Sequence, residues 1–73
     1  MKKSEILEVA KSNKFELDKN AKDLHGNTFF SLKSVTTNLI LIYRDHKDRN
    51  FFLMGVYPSE KANKLMENLR NRR

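Results

Sequence analysis

NLILIYRDHKDRNFFLMGVY, residues 38–57, holds two apolar runs split by a charged link, and its reading decides the fold. Leucine, β-branched and aromatic residues fill both runs, which suits a pleated, buried surface. The link Asp45-His46-Lys47-Asp48 is short and polar, so the runs should pair as an antiparallel hairpin. It carries no Asn-Gly pair, which leaves the turn type open. Side chains along a strand alternate between faces. Leu39, Leu41 and Tyr43 therefore oppose Ile40 and Ile42, while Phe51, Leu53 and Tyr57 oppose Phe52, Met54 and Val56. Neither run alternates apolar with polar, so each presents two apolar sides.

Residues 28–33 (TFFSLK) extend the pattern to a further strand, in which Phe30 and Leu32 oppose Phe29. Beyond the hairpin, Pro58 cannot donate to a ladder and Ser59 suits a helix N-cap, so a helix is expected over 59–71. Ala62, Leu65, Met66 and Leu69 recur at i, i+3, i+4 and i+7 along it. At the other end Ile6, Leu7, Val9 and Ala10 form one apolar arc, with Ser4 as the expected cap, predicting a helix over 4–13. Between them, 14–18 alternates at period two and suits a short strand or a pinned loop. Residues 19–27 are polar and end in the turn signal His25-Gly26-Asn27.

These elements predict one domain, 1–73, of the α+β class. It is a two-layer α-(β)-β-β-β-α arrangement, a three-stranded antiparallel sheet with both helices on one face. The order resembles that of the double-stranded-RNA-binding fold and of small toxin folds related to it. The first turn of the last helix, however, reads Glu60-Lys61-Ala62-Asn63 in place of the basic cluster that marks the RNA-binding family, so no membership follows. Fold-level likeness carries no function by itself.

Two short helices on one face would leave large apolar side chains on the other, beyond the ~300–600 Å² usual on a monomer. A dimer or partner face of Leu39, Leu41, Tyr43, Phe51, Leu53 and Tyr57 is the expected answer. A base-stacking platform, or cover by residues 14–27, are the competing ones. At 73 residues and with no cysteine to cross-link it, the chain sits where oligomerisation often completes a core.

The net charge is +6, and residues 59–73 hold five basic against two acidic residues. Such an excess points to polyanionic partners. Lys61, Lys64, Asn68 and Arg72 follow one helical line, and Lys61, Lys64, Arg70 and Arg72 are the expected phosphate contacts. Arg44, Lys47 and Arg49 at the hairpin tip form a second contact point. The plain alternative is a solvated surface kept for solubility.

Catalytic chemistry is sparse. The chain has two histidines, neither beside a serine nucleophile, and no glycine-rich phosphate loop. The run from Asp18 to Asp23 begins like a calcium loop but lacks its glycine and closing glutamate. No metal or other cofactor is expected. Glu5, Glu8 and Lys11 interrupt any signal-peptide core, and no apolar run approaches the roughly 20 residues of a membrane span. A soluble, cytoplasmic, non-enzymatic nucleic-acid-binding dimer, with RNA favoured over DNA, is the leading expectation. The alternative is an effector of the bacteriophage or plasmid accessory type that inhibits a host protein or a toxin. A third is a small ribonuclease with His46 as base and Lys47 or Arg49 as phosphate clamp.

Overall fold

The computed structural model describes residues 2–22, 24, 26–45 and 50–71. Its elements are α1 (Lys3–Ser12), β1 (Phe15–Lys22), β2 (Thr28–Ser34), β3 (Leu39–Asp45), β4 (Phe51–Pro58) and α2 (Ser59–Arg70). The strands form one antiparallel meander in the order β1-β2-β3-β4. The class is therefore α+β with an antiparallel sheet, as expected, but the sheet has four strands rather than three.

The additional strand is β1. Its alternation at Phe15 and Leu17 continues into the polar stretch up to Lys22 because a bulge at Asp18 shifts the register between Leu17 and Lys19. Ser31, only 1% exposed, fixes that irregularity by accepting the Lys19 backbone N–H at 3.2 Å through its hydroxyl. Gly26, with φ of 85°, lies in the β1–β2 connection, a conformation open to glycine at little cost. Of the expected turn signal, His25 lies outside the described residues.

The helices lie on opposite faces of the sheet. Ala62, Met66 and Leu69 of α2 pack with Phe29, Ile40 and Ile42. Ile6 and Ala10 of α1 pack with Phe30 and Leu32, which alternation along β2 sends to the other side. The expected two-layer arrangement is thus replaced by three layers, helix on sheet on helix. Principal extents of 34 × 28 × 15 Å agree. The shortest matches four strands about 4.8 Å apart, and 28 Å accommodates a helix about 10 Å wide on each side. This answers why the strands are apolar on both sides: each face has its own helix. The premise that one face stays bare, or is covered by residues 14–27, fails.

Helix ends depart from expectation by a residue or two. Lys2, not Ser4, occupies the N-cap of α1, where the Glu5 carboxylate accepts its backbone N–H at 3.1 Å. Pro58 takes the N-cap of α2, leaving Ser59 as the first helical residue, its N–H donated to the Asn38 carbonyl at 3.2 Å. No helix among the described residues is long and apolar enough to cross a membrane.

Candidate nucleic-acid interface

Three connections meet at one end of the sheet. Lys22 pairs with Thr28 at the close of the β1–β2 hairpin, and Asp45 pairs with Phe51 at the close of β3–β4. The chain start joins them through a single antiparallel bridge, Lys2↔Asn50. Between these segments lies a cleft of about 860 Å³. Lys2, Lys3 and Lys22 line it, with Ser4, Asn20 and Thr28 as polar companions and Phe30 and Phe51 along the bottom. Lysines twenty residues apart in sequence become neighbours only because α1 starts where β1 ends.

The cleft is anchored from below. Lys3 Nζ donates to Asn20 Oδ1 at 2.7 Å and sits 5.2 Å from the centroid of the Phe30 ring. Its cation is therefore held over an aromatic face instead of swinging freely. Phe30 in turn stacks on Tyr43, centroids 5.2 Å apart, and meets Phe51 edge-on at 4.9 Å. One carboxylate shares this space. Asp45 Oδ2 accepts the Thr28 hydroxyl at 3.2 Å, while Oδ1 is buried and has no hydrogen-bond partner among the described residues.

The residues expected from sequence are only partly gathered here. Lys47, Arg49 and Arg72 lie outside the described residues, as does His46. Arg44 pairs with Phe29 near the same end of the sheet, but on the α2 side, with its guanidinium 5.7 Å from the Phe29 ring. Arg70 is exposed at the C-terminal end of α2 and does not line the cleft. Lys61 lies at the opposite end, its Nζ 5.7 Å from the Tyr57 ring, and Lys64 is exposed one turn further on. At ~100° per residue, Lys61 and Lys64 share one flank of α2 and Arg70 falls on the other. Lys61, Lys64 and Asn68 keep to the expected line along α2, and Arg70 lies off it.

The expected apolar partner face is likewise split. Tyr43 and Phe51 pack against the α1 cluster, with Leu41 half-buried beside them. Tyr57 lies on the α2 side, because a second bulge shifts the register of β4 between Ile42 and Tyr43. Val56, opposite Leu41, takes the phase that strict alternation assigns to Tyr57. Of the six, Leu39 and Leu53 remain exposed.

Lys2, Lys3 and Lys22 were missed as site residues. Taken singly they are ordinary surface lysines, and no local pattern joins them. Among the described residues no three of His, Cys, Asp and Glu converge as metal ligands. Comparison with family models, with curated proteins and with solved structures finds no match to this chain.

Proposed function

We propose that the chain binds nucleic acid without chemical turnover, taking single-stranded RNA in preference to DNA, and that the cleft between α1 and the two hairpin ends is where it does so. The observation that carries this reading is the meeting of Lys2, Lys3 and Lys22 around one 860 Å³ cleft, with Arg44 toward the same end of the sheet. Cations supply the sequence-independent part of nucleic-acid affinity by releasing counterions. Hydroxyl and amide groups such as those of Ser4, Asn20 and Thr28 position the backbone. A concave site of this size suits a splayed single strand better than the wide surface of a duplex, and unpaired segments are where RNA is most often read.

Fluorescence anisotropy with a labelled single-stranded oligonucleotide tests the proposal. Three phosphate contacts predict a log–log salt slope of about −2. Replacing Lys2, Lys3 and Lys22 together with alanine should bring the slope close to zero, whereas Lys61→Ala with Lys64→Ala should change it little. Absence of binding at low salt refutes the reading. Loss confined to the Lys61/Lys64 variant would move the site to α2, and equal loss in both would refute a localised cleft.

A further inference from the structure

The two edges of the sheet differ in kind. β1 is guarded: Glu16, Asp18, Lys19 and Lys22 put charges along it, the bulge at Asp18 breaks its line, and Lys19 Nζ is tied to Asn63 Oδ1 of α2 at 2.9 Å. Charges and bulges are how proteins keep an edge from recruiting another strand. β4, FFLMGVYP, has no charged residue in eight. Phe52, Leu53, Met54 and Val56 in succession are between 37% and 49% exposed, Gly55 apart. In a chain of net charge +6, this is a neutral, apolar edge that differs from β1 in its lack of charge, although it carries a bulge of its own at Met54.

We propose that β4 pairs antiparallel with β4 of a second copy about a two-fold axis, joining two four-stranded sheets into one of eight. This inference does not rest on the nucleic-acid reading. Three observations select a second copy over a foreign strand. First, the edge is self-complementary: the bulge brings Leu53 and Val56 to the same face, flanking the middle of the strand, so Leu53 of one copy can oppose Val56 of the other. A two-fold contact requires such reciprocity. Second, an uncharged strand meets its copy without like-charge repulsion, although both protomers are strongly basic. Third, four side chains near half exposure on this one strand offer roughly 300 Å² of apolar surface per copy, which places the pair in the size class of weak, concentration-dependent interfaces. Pairing about this axis sends the two lysine-lined clefts to opposite ends of the joined sheet. β1, being guarded, stops growth at two.

Light scattering from about 10 μM to 1 mM reads the outcome. The expected mass rises to twice the chain's 8.6 kDa. Leu53→Lys with Val56→Lys should hold the chain at single mass with an unchanged circular-dichroism spectrum, while Glu16→Lys on β1 should leave the pair intact. Hydrogen exchange on the unmodified protein avoids dependence on any variant: amides from Leu53 to Val56 should become more protected as concentration rises, at least tenfold across the range. A single-mass species at 1 mM overturns the proposal. So does a pair that survives the double lysine variant, growth to larger assemblies, or exchange in β4 that ignores concentration.

Discussion

The ring of Tyr57 lies over Gly55, so close that a Cβ at position 55 would come within 2.6 Å of Tyr57 Cζ. The contact follows from the β4 bulge, which sets Gly55 opposite Ile42 and Tyr57 opposite Ile40 on the α2 side. Lys61 holds the ring from above. Gly55→Ala should therefore destabilise the fold by about 1–3 kcal/mol, the usual scale of overpacking. In a Tyr57→Val background the same change should cost under about 1 kcal/mol, because the clash is gone. Urea denaturation of the four proteins measures the coupling directly.

Helices on opposite faces make two cores separated by the sheet. Ile6→Val trims the α1 side and Ile42→Val the α2 side, each buried to 3% exposure or less. Each should cost about 0.5–1.5 kcal/mol. With no shared partner their effects should add within about 0.5 kcal/mol. Strong coupling between them would mean one continuous core, and would contradict the three-layer arrangement.

Ser34, 5% exposed, ends β2 and organises the turn that follows. Its hydroxyl oxygen accepts the backbone N–H of Thr36 at 3.2 Å and of Thr37 at 3.1 Å. Ser34→Ala leaves both donors to find water, at a cost of about 1–2 kcal/mol. Amide exchange at Thr36 and Thr37 should quicken well beyond the global change, which separates a local turn effect from general loosening.

Asp45 opposes the charge of the cleft it lines. Asp45→Asn keeps an oxygen to accept from the Thr28 hydroxyl while removing the negative charge. Affinity for an oligonucleotide should rise about threefold at low salt, and the gain should shrink as salt increases. Lowered affinity would instead mark the carboxylate as a direct acceptor from the bound strand. Anisotropy titrations at two salt concentrations distinguish these results.

What could be read in the chain was whatever repeats along it. The Ala62, Leu65, Met66 and Leu69 spacing placed α2 to within a residue, and the hairpin of β3 and β4 followed from its apolar runs. β1 was hard to see in full because an exposed edge strand has little to bury, and its bulge at Asp18 breaks the alternation. The phase of β4 was lost at Met54 and Gly55 for the same reason: an added residue swaps the faces of everything after it. Two-sided apolar strands do imply two covered faces, yet nothing local says that the helices divide the work. The cleft lysines were the least legible, since Lys2, Lys3 and Lys22 meet through topology alone.

The meander order β1-β2-β3-β4 pairs every strand with its neighbour in the chain. Closing such short loops sacrifices little chain entropy before the reward of contact arrives. Assembly can then proceed by successive hairpins, each able to template the next, with the terminal helices docking last from either side. Stopped-flow refolding should be single-exponential on the order of milliseconds, and the sheet's central pair, β2 with β3, should acquire exchange protection ahead of both helices.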